Sequence, residues 1–228
     1  MENPDTPENW GRASRGYAEK VAPVLMRSFA DAIVELLEAD PGCEVVEVGA
    51  GSGALTEALF PKVKSLLATD FAPQMIDILQ QRMRAAGANN VSCEVMDGQS
   101  LDCEDNRFDA AVCSFALMLF PDRAKGFGEL CRVVRPGGRV VVSGWAGPDK
   151  FEAFGLLLEA MRVAFPDLPA PPKPPPVFSL ADPGAFAAEM QAAGYEDVQV
   201  ETVARDLETS SFEEMWEMFT VGAPPVQM

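Results

Sequence analysis

The chain has no histidine and only two tyrosines. The side chain most often used as a general base near neutral pH is therefore missing, and the usual zinc-ligand spacings cannot be built around it. Five cysteines, Cys43, Cys93, Cys103, Cys113 and Cys131, form no C-x-x-C pair. An odd number scattered along the chain reads as reduced thiols acting as small apolar side chains, and no metal site is expected. Cations are also scarce, since 18 Lys and Arg stand against 35 Asp and Glu for a net charge of −17. Such a surface repels phosphate backbones, so nucleic acid is not an expected partner, while attraction of a cationic small molecule stays open. Long apolar runs are absent as well. Stretches such as Cys113 to Phe120 fall far short of the roughly 20 residues a membrane helix requires, and Met1 to Asp5 lacks the basic start and apolar segment of a secretory signal. A cytoplasmic protein with no membrane partner is expected.

What the chain does have is length and apolar content, 228 residues at 48% hydrophobic, enough for one substantial core in a single domain. Apolar spacing switches repeatedly between helical and strand periods, the pattern of a doubly wound α/β sheet. Four regions follow: a helical cap segment over 1–40, a core over 41–145, an insertion over 146–181, and a helix–strand part over 182–228. Phe29, Ile33, Leu36 and Leu37 stripe a helix in the cap. Pro73 suits the first turn of a helix through Met75, Ile76, Leu79 and Met83 that ends at Gly87. Asp122 can cap a helix carrying Phe127, Leu130, Cys131 and Val134, stopped by Pro136 and Gly137. Asp182-Pro183 opens another that ends at Gly194, and Val198 to Val203 alternates as a sixth strand.

The densest signal is Val45-Val46-Glu47-Val48-Gly49-Ala50-Gly51-Ser52-Gly53, an apolar strand stopping in a glycine-rich turn. Glycines at 49, 51 and 53 allow positive φ and close approach of a ligand, and the helix that follows points free N–H groups at it. Gly49, Gly51 and Ala54 also satisfy the G-x-G-x-x-A form of a dinucleotide loop, so the turn alone does not choose a nucleotide. Asp70 ends a second strand about 20 residues after Gly51, where a carboxylate can accept from two ribose hydroxyls. Asp97 ends a third strand, Val91 to Val95 with Met96, followed by Gly98; dinucleotide folds do not require that acid.

Taken together, these motifs resemble the class I S-adenosylmethionine-dependent methyltransferases, from about Glu44 to Gly144. Glu47 with Gly49, Gly51 and Gly53 is similar to the E-x-G-x-G-x-G signature, Asp70 to the ribose-binding acid, and Asp97-Gly98 to the adenine-side acid. Phe108 to Phe115 resembles the fourth strand, and Glu129 to Val142 the helix, Pro-Gly-Gly turn and fifth strand. The resemblance implies a Rossmann-like α/β fold with a mostly parallel, seven-stranded type of sheet, S-adenosyl-L-methionine as cofactor, and methyl transfer to a small-molecule substrate. Ala50, Phe71, Met75 and Ser114, neighbours in these motifs, join the expected cofactor contacts. The family's last strand is antiparallel. Here only Arg205 to Thr209 can supply it, or the chain lacks it.

Methyl transfer by in-line displacement needs positioning first and a base only for a protonated nucleophile. Candidate bases are Tyr17, Asp122 and Tyr195. Tyr195 and Asp122 also suit packing and capping roles, and Tyr17 resembles the aromatic that closes over the cofactor in relatives with a W-x(6)-Y segment, here Trp10 to Tyr17. The acceptor is expected among Tyr17, Phe115, Leu119, Trp145 and Phe154, under a lid formed by the apolar helix through Phe151, Phe154, Leu157, Leu158, Met161 and Phe165 and the proline-rich run 166–176; a structural flap is the other reading. Two further functions remain open, a nicotinamide-dependent oxidoreductase and a non-catalytic binding or scaffold protein. The patterns do not say which acceptor atom is methylated, nor the oligomeric state.

Overall fold

Val45, Val46 and Val48 alternate between the two faces of a buried strand, and that alternation organises the molecule. In the computed structural model, which describes residues 5–166 and 175–221, β1 (Glu44–Val48) lies at the middle of a five-stranded sheet with β2 (Ser65–Asp70), β3 (Val91–Val95), β4 (Phe108–Ser114) and β5 (Val134–Ser143). The order is β3-β2-β1-β4-β5 and every pairing is parallel. Val46 and Val48 pack with Phe127, Leu130 and Val133 on one face, while Val45 packs with Ile33, Leu37 and Leu59 on the other. Successive strands step outward from β1 in one direction and then, from β4, in the other. Between β1 and β4 the sheet thus opens a crevice at the strands' carboxyl ends, where α/β sheets bind ligands.

The helices expected from capping signals form as read. Pro73 opens α4 (Pro73–Ala85) after α2 (Arg27–Leu37) and the short α3 (Thr56–Leu59). Asp122 accepts from Lys125 N at 3.1 Å to cap α5 (Arg123–Val133), and Asp182 accepts from Ala185 N at 2.7 Å to cap α7 (Pro183–Ala192). The stop signal at Pro136-Gly137 acts differently from expectation: α5 ends at Val133, and the Pro-Gly-Gly run lies inside β5 as a bulge, with the register jumping from Phe108 opposite Val134 to Ala110 opposite Arg139. A Cβ on Gly138 would sit 2.5 Å from the Asp109 carbonyl oxygen, which is why the bulge takes glycine there.

Before β1, α1 (Pro7–Gly16) runs without interruption into a π-helical segment (Tyr17–Met26) and then into α2. Pro23 lies inside the π-helical segment. The helix after the core, α8 (Phe212–Val221), turns back onto this segment, burying Met218 and Phe219 against Val21, with Lys20 Nζ 2.7 Å from Glu217 Oε2.

The expected sixth strand is corrected, and the one candidate for a last, antiparallel strand does not form. Val198 to Val203 and Arg205 to Thr209 form no ladder; residues 198–210 follow an irregular path, with Val198 packed on the core, Leu207 packed near Val21 and Met218, and Arg205 Nε donating to the Ser28 carbonyl at 3.0 Å. Alternating apolarity marks a half-buried segment, and here Val198 and Val203 are half-buried without a strand partner. The insertion supplies α6 (Glu152–Ala164), none of whose residues is fully buried. Most of the proline-rich run, 167–174, lies outside the described residues, as does the chain beyond 221. No helix among the described residues is long and apolar enough to cross a membrane.

Candidate active-site cleft

The loop after β1 is built by its glycines and by the end of β2. Gly49, Gly51 and Gly53 have φ of +74°, +54° and +96°. Gly49 N and Ala50 N both donate to the Thr69 carbonyl at 2.9 Å. Gly51 N donates to Asp70 Oδ2 at 2.9 Å, and the second carboxylate oxygen accepts from Ala72 N at 2.9 Å. Asp70 is buried, and burial pushes its pKa up to about 6 against the pull of the backbone donors. Beneath the loop, Glu47 is only 1% exposed and accepts from Thr56 Oγ1 at 2.7 Å. Burial raises its pKa to about 8, the Thr56 hydroxyl lowers it, and the Asp70 charge adds to the rise.

These groups border a cleft enclosing about 720 Å³ of empty space, its open mouth included. Val48, Gly49 and Gly51 come from β1 and its loop, Asp70, Phe71 and Met75 from β2 and α4, and Met96 to Gln99 from beyond β3. Ser114 at the end of β4, with Phe115, Ala116 and Leu119 to Pro121 after it, closes the far wall, Asp5 arrives from just before α1, and Trp10 and Tyr17 come from the N-terminal helices. Of the cofactor residues expected from the sequence, Gly49, Gly51, Asp70, Phe71, Met75, Asp97, Gly98 and Ser114 are therefore brought together at one place. Glu47, Ala50 and Gly53 support that place from below. Ala50 packs with Ala68 and Leu79, and a Cβ on Gly53 would sit 2.5 Å from Leu79 Cδ1.

Asp97 is exposed, and its Oδ1 accepts from Gln99 N at 2.9 Å and from Gln99 Nε2 at 3.1 Å. Gly98 is required by packing, since a Cβ there would be 2.6 Å from both Val48 Cγ1 and Phe120 Cζ.

The expected acceptor residues divide. Tyr17, Phe115 and Leu119 line the cleft. Trp145 and Phe154 are displaced from it: Trp145 stands behind Phe115, ring centroids 4.3 Å apart, and also packs on Phe29 and Phe151, while Phe154 packs edge-on to Phe178 at 5.0 Å. Phe115 stands between Trp145 and the cleft. It does so from a left-handed backbone, φ +51°, which costs a bulky residue energy and is found where structure around it enforces a function. Its N–H donates to Ser143 O and Ser143 Oγ, both at 3.2 Å.

The candidate bases fare differently as well. Asp122 is spent as the α5 cap, and the Tyr195 hydroxyl donates to the Phe127 carbonyl at 2.9 Å. Tyr17 lies over the loop, its Cε1 3.5 Å from where a Gly51 Cβ would be, with Trp10 edge-on at 5.7 Å. Burial, then the charges of Asp70 and Glu47, drive its hydroxyl well above the ordinary phenol pKa, so it offers a neutral O–H and not a base. Sequence reasoning missed Asp5, Val48, Met96, Gln99, Ala116, Phe120 and Pro121, and reached Trp10 only as the start of the W-x(6)-Y segment. Asp5 accepts from Trp10 Nε1 at 3.2 Å, and their spacing carried no signal beyond the W-x(6)-Y pattern.

The residues fit a cofactor carrying ribose hydroxyls, a cationic group and an adenine ring. The Asp70 oxygens accept from the backbone N–H groups of Gly51 and Ala72, and a carboxylate has further lone pairs to offer a ribose hydroxyl. The glycines keep Cβ atoms out of the cleft, and Met75, Met96, Leu119 and Phe120 give apolar walls.

Residues 45–138 match the family described as "Methyltransferase domain". A demethylmenaquinone methyltransferase of Corynebacterium kroppenstedtii is 38% identical over 112 residues, 49% of this chain and 46% of the relative. One of Deinococcus radiodurans is 34% identical over 126 residues, 53% and 49% respectively. The chain thus spans about half the length of these curated relatives. Among solved structures, a SAM-dependent methyltransferase of Aquifex aeolicus superposes with a TM-score of 0.60 at 17% identity, covering 80% of this chain and 87% of that one. The YcgJ protein of Bacillus subtilis gives 0.56 at 22%, covering 75% and 70%. At such identities the superpositions establish the shared fold.

Proposed function

We propose that this chain, whose core is a methyltransferase domain of the class I S-adenosylmethionine-dependent family, transfers a methyl group to a small acceptor with an apolar or aromatic body. The observation that carries the reading is the convergence of the glycine loop, Asp70 and Asp97 on one cleft whose opposite wall is Phe115, Leu119 and Phe120. S-adenosyl-L-methionine, when bound, supplies a methyl carbon already activated by a positively charged sulfur. The chain supplies position and dryness: Asp70 and the loop hold one side, Phe115 and Leu119 keep water from the other, and Tyr17 covers the loop.

None of the three candidate bases is suited to take a proton here, with Asp122 and Tyr195 engaged elsewhere and Tyr17 held neutral. The acceptor should therefore bring its own nucleophile, as an acidic aromatic hydroxyl that has already given its proton to water does, or an electron-rich ring carbon, whose displaced ring proton then passes to water. The names of the relatives, which act on demethylmenaquinone, support this class. A reduced cytoplasm suits the five free thiols.

The test is incubation with methyl-labelled S-adenosyl-L-methionine and a panel of quinols, phenols, amines and thiols, read by mass spectrometry. Label in a quinol or phenol is the expected result. Label only in amines or thiols would refute the acceptor class, and none in any acceptor would favour a binding protein on the same fold.

A further inference from the structure

One guanidinium joins the two layers between which the cofactor would lie. Arg82, on α4, donates from Nη1 to the Ser52 carbonyl in the glycine loop at 3.0 Å and from Nη2 to the Ala18 carbonyl, beside Tyr17, at 2.8 Å. The second acceptor is available for a reason written in the sequence. In the i→i+5 register of a π-helix the partner of the Ala18 carbonyl is the nitrogen of residue 23, and that residue is Pro23, which has no N–H. A buried carbonyl that loses this donor gains from one supplied elsewhere, and Ala18 is 4% exposed. Glu57 Oε1, 3.9 Å from Nη1, adds a charge beside the fork. Packing brings the same surfaces together, because a Cβ on Gly11 of α1 would be 2.3 Å from Gln74 Oε1 of α4.

We infer that Arg82 is a positioning residue for methyl transfer: it fixes the Tyr17-bearing helix over the Gly49–Gly53 loop, so that the loop and its cover form one preassembled site. The inference rests on the cleft being the cofactor site. It needs the fork of arginine in particular, since two carbonyls on separate elements are held by two nitrogens of one rigid plane, a geometry a lysine ammonium does not reproduce. Unlike Asp70, Arg82 is absent from the cleft lining and acts through Ser52 and Ala18.

A double-mutant cycle tests it, with S-adenosylhomocysteine binding followed by calorimetry in the wild type, Arg82→Met, Tyr17→Ala and the double variant. If Arg82 acts by placing Tyr17, Arg82→Met should raise the dissociation constant about tenfold in the wild-type background and less than twofold once Tyr17 is truncated. Arg82→Lys, which keeps the charge and one donor, should fall between. Equal fold-changes in both backgrounds, or a lowered melting temperature with unchanged affinity, would overturn the inference. Should wild-type protein not bind S-adenosylhomocysteine at all, the functional reading fails first. The clamp is then read in the free protein, where Arg82→Met should speed tryptic cleavage at Arg12, Arg15 and Lys20 several-fold, and an unchanged rate would refute it.

Discussion

The Gly51 amide donates to the Asp70 carboxylate across 2.9 Å, tying the loop after β1 to the end of β2 by a charge-assisted bond. Asp70 therefore serves two purposes, shaping the loop and presenting spare lone pairs to the cleft. Asp70→Ala leaves the N–H groups of Gly51 and Ala72 without their acceptor, so a loss of roughly 1–3 kcal/mol of stability is expected in thermal or urea unfolding. Cofactor affinity should fall by more than tenfold in the same variant, and Asp97→Ala, at an exposed carboxylate engaged with Gln99, should lose less. A larger loss at Asp97 would reverse the ranking of the two acids.

The glycines of the loop should separate fold from binding. A Cβ at Gly49 would lie 2.3 Å from Ala116 Cβ, so Gly49→Ala must displace backbone and should lower the melting temperature by many degrees. Gly51→Ala meets only Tyr17 Cε1, at 3.5 Å, and carries chiefly the cost of a left-handed residue, about 1–2 kcal/mol. It should stay folded and yet bind S-adenosylhomocysteine at least tenfold more weakly. Equal melting temperatures for the two variants would contradict this.

Phe115 and Phe154 make a matched pair for kinetics. Phe115 lines the cleft, whereas Phe154 packs on Phe178 a layer away. Phe115→Ala is expected to raise the acceptor's KM about tenfold with cofactor affinity within about twofold, and Phe154→Ala to lower thermal stability with KM changed less than twofold. The reverse pattern would put the acceptor under α6.

How far the sequence reached is visible in these same residues. The glycine loop and Asp70 were legible because backbone conformation and charge placement at a strand end are local demands, written within a few positions. Trp145 was misplaced for a physical reason: apolar patterning says that a side chain is buried, not behind which neighbour, and Phe115 occupies the layer in front. The strand expected at 198–203 failed likewise, since alternation shows which face is apolar and not whether an edge accepts a partner. Asp5 joins the cleft, and Arg82 braces it from outside, through contacts that no spacing announces.

Titration should expose the two buried acids. Glu47 and Asp70 have folded pKa values of about 8 and about 6, both above their ordinary carboxyl values. Such acids contribute stability that is present below the unfolded pKa and lost as pH rises through the folded one, so the free protein should become less stable between about pH 4 and 8. Glu47→Gln keeps an oxygen to accept from Thr56 Oγ1 and should flatten that decline, most visibly near pH 8. Affinity for the cationic cofactor should move the other way, strengthening as the carboxyls ionise. A Glu47→Gln melting curve with the wild type's pH slope would rule out this source.

The most direct measurement is calorimetric titration of the purified chain with S-adenosyl-L-methionine, S-adenosylhomocysteine, NAD and NADP. Saturable one-to-one binding of the first two, lost in Gly51→Val and absent for the dinucleotides, is the result expected of a methyltransferase cleft. Binding of NAD or NADP in their place, or cofactor affinity unchanged by Gly51→Val, would contradict it.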